Sequence, residues 1–120
     1  MKRPDRKSYE SLIESIIHFS NDAIISKALD GTITSWNKGA ENIFGYSAAE
    51  IIGRPISILI PEHRLHEDRH ILERIKAGEV IEHYETERVR KNGDIIYISL
   101  TVSPIKDENG LITGASKIAR

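Results

Sequence analysis

The chain has 120 residues, a formal net charge of −1, 39% apolar residues, 29% charged residues and no cysteine. That length suits a single domain with one ordinary core, and the near-neutral, interleaved charge excludes a global field for nucleic acid or an anionic membrane. The lack of cysteine excludes disulfides, cysteine-ligated zinc or iron–sulfur clusters and any thiol nucleophile.

No stretch approaches the roughly 20 apolar residues of a membrane span. Met1 to Lys7 is charged and lacks the apolar centre of a signal peptide, so a cytoplasmic location is expected. Ser8 to Phe19 reads as a helix, because Tyr9, Leu12, Ile13, Ile16 and Ile17 recur at three- and four-residue spacings. Ser8 is the expected N-cap. Two readings of this helix stand side by side: packing on its own domain, or pairing in a dimer.

Ala23 to Leu29 is rich in β-formers, Asp30-Gly31 is a hairpin turn, and Thr32 to Trp36 alternates. Asn37 offers a side-chain oxygen to cap a short helix from Lys38 to Phe44, which Gly45 ends. Ser47 and Glu50 form a capping box over a single-turn helix that Gly53 stops. Pro55 to Ile60 is short and apolar. His63 to Ala77 is the longest internal helix expected, with Leu65, Ile71, Leu72 and Ile75 toward the core. Glu82 to Arg90 and Leu111 to Ala119 read as strands. Between them Lys91 to Asp94 turns through Asn-Gly, and Ile96, Ile98, Leu100 and Val102 alternate with polar residues. Asp107 to Gly110 turns again. Strands grouped on either side of helices imply an α+β domain with an antiparallel sheet.

This order, with Asp30-Gly31, Ile33-Thr-Ser-Trp-Asn37, Ala40-Glu41, Phe44-Gly-Tyr-Ser47, Glu50, Gly53, Leu59-Ile-Pro61 and Arg90-Lys-Asn-Gly93, resembles the PAS family. Thr101-Val-Ser-Pro104-Ile and Asp107-Glu-Asn-Gly110 complete the pattern. The resemblance covers Asp22 to Ala119, so residues 1–21 are expected as a flanking or dimerisation segment and residues 22–120 as the PAS domain. It implies a five-stranded antiparallel sheet with short helices over one face and a cavity between them. It further implies a sensory input domain of a larger bacterial signalling protein, such as a sensor histidine kinase, with its output domain expected beyond Arg120. Glu50 resembles the family's acidic residue that pairs with a base before the late hairpin, here Lys91.

Several chemistries can be tested on the residues. A light-oxygen-voltage adduct needs a cysteine, and a thioester-linked chromophore needs one too. Haem would require His66 or His70 as its ligand. On a helical projection His63, His66 and His70 lie within about 60° of each other, nearly opposite Leu65 and Leu72. His66 and His70 have a metal-chelating spacing, but no third ligand stands out, and no metal is assigned. His66-Glu67-Asp68-Arg69 has the look of a kinase phosphoacceptor box but continues as His70-Ile71, and no catalytic residue is assigned. FAD could use Trp36 and Asn37, although both have simpler structural roles. What remains is an aliphatic pocket expected around Ile43, Phe44, Leu72, Ile75, Ile96, Ile98 and Leu100. If open, it is small and suits a small apolar molecule; if filled, the domain is a ligand-free homodimerisation or relay module.

Overall fold

In a computed structural model, residues 5–120 are described; the first four residues of the expected segment 1–21 lie outside them. Helix α1 (Arg6–Phe19) is followed by strands β1 (Ala23–Ala28) and β2 (Ile33–Trp36). Helices α2 (Lys38–Phe44), α3 (Ala48–Ile51) and α4 (His66–Lys76) come next, with two short 3₁₀ turns, Ile56–Leu59 and Glu62–Arg64, between α3 and α4. Strands β3 (Ile81–Val89), β4 (Ile95–Lys106) and β5 (Ile112–Ala119) complete the chain. The five strands form one antiparallel sheet in the order β2-β1-β5-β4-β3. The first and last strands are therefore neighbours at its centre, and all the helices between β2 and β3 cover one face.

Local chemistry sets most of these boundaries. Asp30 accepts a hydrogen bond from the Thr32 amide at 2.9 Å and shapes the β1–β2 turn. Ser47 and Glu50 close the expected capping box reciprocally. At the end of α2, Gly45 takes a left-handed conformation (φ 85°) that a side chain would strain. Gly39 is needed for a different reason. A Cβ there would lie 2.1 Å from the Asp22 carbonyl oxygen, so only glycine lets α2 approach the start of β1.

Two expectations need correction. Helix α1 begins earlier than Ser8: Asp5 is its N-cap and accepts from the Ser8 amide at 2.7 Å. Aspartate one turn upstream also meets the helix dipole favourably. The other correction concerns α4. Its inward side is Glu67, Ile71 and Ile75, while Leu65 is 45% exposed and Leu72 only half-buried. The stretch 63–77 is not one continuous helix, since a 3₁₀ turn over 62–64 precedes it and puts Leu65 out of phase.

The core lies between the sheet and this helical layer. Ile25, Ile33, Trp36, Phe44, Ile51, Ile75, Leu100 and Val102 are among its buried members. Trp36 and Phe44 pack with ring centroids 5.6 Å apart, and the indole Nε1 donates to the Tyr46 carbonyl at 2.9 Å. That partner is what makes a buried indole tolerable.

Candidate functional site

The space under the helices is almost filled. A cavity of about 20 Å³ remains between the sheet and the 56–59 turn, room for about one water molecule. Of the residues expected around a pocket, Phe44, Ile98 and Leu100 border it. Ile75 is fully buried elsewhere in the core, Ile43 and Ile96 pack on its margin, and Leu72 lies outside the apolar cluster. The displacement of Leu72 follows from the rotated phase of α4.

The cavity wall is not wholly aliphatic. Arg88 of β3 and Lys117 of β5 also border it, and each is buried. They belong to a charged layer that apolar patterning alone does not show. Strand alternation aims Lys27 of β1, Lys117 of β5, and Thr86 and Arg88 of β3 toward the helices. From α4, Glu67 and Asp68 meet them. Glu67 accepts from Thr86 Oγ1 at 2.7 Å, Arg88 Nη1 at 3.0 Å and Arg64 Nη1 at 3.0 Å. Arg64 also reaches Glu87 at 2.9 Å. Burial alone would raise the Glu67 pKa, but the bonds from Thr86, Arg88 and Arg64 hold it below the ordinary value.

The pairing is incomplete on the cationic side. Lys27 Nζ lies 3.1 Å from Asp68 Oδ1, whereas Lys117 Nζ stands 4.0 Å from the same oxygen. Burial, then repulsion from Lys27, lowers the Lys117 pKa well below its usual 10.5. Arg88 Nη1 also donates to the Glu87 carbonyl at 2.7 Å, yet its Nη2 is buried with no hydrogen-bond partner.

The remaining candidates fall elsewhere. Glu50 and Lys91 do meet: Lys91 Nζ lies 3.1 and 2.9 Å from the two carboxylate oxygens, at the surface. This bond first, and the Ser47 amide second, hold the Glu50 carboxyl below its usual range. The pair ties α3 to the β3–β4 turn. His66 and His70 are exposed, away from the buried Glu67–Ile71–Ile75 side of α4, and neither borders the cavity. No cluster of metal-ligating side chains occurs among the described residues. Neither a haem nor an isoalloxazine ring fits a space of about 20 Å³. Trp36 is instead packed into the core, and Asn37 caps α2.

Asn37 has a wider role than that cap. Its Oδ1 accepts from the amides of Ala40 and Ile24, both at 2.9 Å. Its Nδ2 donates to the carbonyls of Ile17 at 2.7 Å and Asp22 at 3.0 Å. One buried side chain therefore joins the end of α1 to β1 and α2. Beyond that joint α1 has no buried residue, and Tyr9, Leu12, Ile13, Ile16 and Ile17 stand open.

A family model described as the PAS fold matches residues 8–120. The chain belongs to the PAS family. Members of this family are sensory and signalling modules, and the five-stranded α+β architecture expected from the sequence is the one observed. Among solved structures, a PAS domain of a protein from Colwellia psychrerythraea is similar at TM-score 0.87 and 28% identity, over 93% of this chain and 95% of that one. A domain of a sensory box sensor histidine kinase/response regulator from Geobacter sulfurreducens shares the fold at TM-score 0.79 and 19% identity, over 97% of this chain and 96% of that one. An uncharacterized protein of Azorhizobium caulinodans is 32% identical over 101 residues, 78% of this PAS chain. The chain spans only 14% of that relative's length.

Proposed function

We propose that this PAS domain is a non-catalytic sensory input module of a larger, cytoplasmic signalling protein, and that it works as a homodimer paired through α1. The observation that carries the reading is the uncovered stripe on that helix. Leu12 is 53% exposed and Ile16 is 62% exposed, although both sit on the apolar side of an amphipathic helix. An isolated helix of 14 residues is marginal in water, and packing of its apolar face ordinarily stabilises it. A second copy of the same stripe is the simplest cover, since twofold dimers are the commonest symmetric assemblies. The groove of about 450 Å³ between α1 and the sheet, bordered by Ile17, Ile24 and Trp36, extends the same surface.

Asn37 makes α1 a suitable signal carrier, because the helix is coupled to β1 and α2 by one hydrogen-bonded side chain. A change beneath the helices could then alter how two α1 helices pair. The similarity to a domain of a sensor histidine kinase supports a kinase as one candidate output.

Sedimentation velocity of the chain and of Leu12→Glu/Ile16→Glu tests this reading. A dimer that becomes a folded monomer in the variant is expected. A parent chain that is monomeric throughout the micromolar range, or a variant that remains dimeric, contradicts it.

A further inference from the structure

Cations exceed carboxylates in the buried layer, and the excess adjoins the small cavity, which is bordered by both charged and apolar groups. Arg64, Arg88, Lys27 and Lys117 face Glu67, Asp68 and Glu87. Asp68 is shared by two lysines, and Lys27 holds it at hydrogen-bond distance while Lys117 does not. Arg88 is 4% exposed, borders the cavity, and has a guanidinium nitrogen with no acceptor. A buried donor without a partner is rare in folded proteins and invites an explanation. Beside the cavity, then, one guanidinium nitrogen of Arg88 has no acceptor although Glu67 holds its other end, and the Lys117 ammonium has no carboxylate closer than 4.0 Å.

We propose that this cavity is an anion-recognition site, in which Arg88 and Lys117 bind the carboxylate of a small monocarboxylic acid and the aliphatic wall receives its carbon end. Guanidinium and ammonium groups recognise carboxylates through charge-assisted hydrogen bonds, stronger than neutral ones. The helical wall facing them, Phe44, Ile56 and Leu59, offers no polar side chain to a second carboxylate, and Ile98 and Leu100 of β4 fill the sheet between the two cations. That asymmetry selects one charged end and one short apolar end. The present volume of about 20 Å³ admits no organic molecule without movement, so binding must shift Phe44 or Leu59 outward. Phe44 is the last residue of α2, whose first turn is capped by Asn37. Ligand occupancy and the seat of α1 are thereby linked through one short helix. This inference rests on reading the cavity as the sensing site, and it is independent of whether α1 dimerises.

The test is an NMR titration of the ¹⁵N- and methyl-labelled chain with propionate at constant ionic strength, using chloride, phosphate and neutral propionamide as comparison ligands. Propionate is expected to give saturable shifts centred on Phe44, Ile98 and Leu100, with chloride and phosphate much weaker. Lys117→Met should remain folded, because an aliphatic chain of similar volume replaces a buried amine 4.0 Å from Asp68, which keeps Lys27 as its closer partner. It should weaken propionate binding by about tenfold or more. Arg88→Lys, which keeps the charge and removes the unpartnered nitrogen, should weaken it as well. Equal affinity for propionate in the folded Lys117→Met protein overturns the proposal, as do shifts confined to the surface. Saturable binding of propionamide in place of propionate leaves the cavity as a sensor and overturns the anion inference alone. If no ligand perturbs the cavity, both the inference and the sensing reading fall.

Discussion

The inner face of the sheet is filled in two different ways. Under α2 and α3, Ile33, Trp36, Phe44 and Ile51 make an apolar packing in which the single indole N–H has a backbone partner. Under α4, Lys27, Lys117, Thr86 and Arg88 meet Glu67 and Asp68 in a layer held by charge. The first region is specified by volume, so any close-packed set of similar shape would serve. The second depends on pairing, and its pairing is unequal. Desolvated charges give little net stability, yet removing one member of a pair is severe. That contrast makes the cavity where Arg88 and Lys117 of the charged layer meet Phe44 and Leu59 the place where a ligand can change the balance.

The largest expected effects separate the two regions by their rescue. Phe44→Ala should destabilise by about 3–5 kcal/mol, the range for deleting a buried aromatic ring. Glu67→Ala should cost a similar 3–5 kcal/mol or so, because Arg88 is left buried without a counter-charge. Chemical denaturation measures both. Glu67→Met combined with Arg88→Met should recover most of the second loss, since the pair is replaced by apolar volume. A double variant as unstable as Glu67→Ala would show that the charged layer is not governed by pairing.

A much smaller effect is expected outside both regions. Glu50→Ala removes the surface bond to Lys91 and one half of the α3 capping box. The melting temperature should move by no more than about 4 °C, and less at high salt. A large, salt-independent loss would assign this pair a core role.

The sequence reading and the structure part at the same boundary. Turns and caps were legible because their chemistry is local: Asp30, Asn37, Ser47 and Glu50 bond to amides within a few residues. Strand β4 is legible because Ile98, Leu100 and Val102 are all apolar and inward. The charged layer is not, because hydrophobic periodicity carries no mark for a buried charge. Glu67 counts as polar and so turned the expected face of α4 toward Leu65 and Leu72. A signal was present nonetheless. Ala23, Ile25 and Lys27 share one strand face, as do Ala115, Lys117 and Ala119, so strict alternation places both lysines inside. The four-way bonding of Asn37 was legible only in part, since its contacts with Ile17, Asp22 and Ile24 depend on tertiary placement.

The central claim is that the layer under α4 holds a cation whose charge is not matched, and Lys117 is that cation. Its folded pKa lies below the ordinary 10.5, chiefly through burial, so the unfolded chain binds this proton more readily than the folded one. Stability from this source is complete above pH 10.5 and is lost as pH falls toward the folded value. Urea unfolding of the parent chain and Lys117→Met across the range from about pH 7 to about pH 10 tests it most directly. The parent should gain stability with rising pH relative to the variant, and the variant should be the more stable of the two at neutral pH. Parallel pH profiles, or a parent that loses stability relative to Lys117→Met as pH rises, would mean that Lys117 is fully paired and would contradict the account.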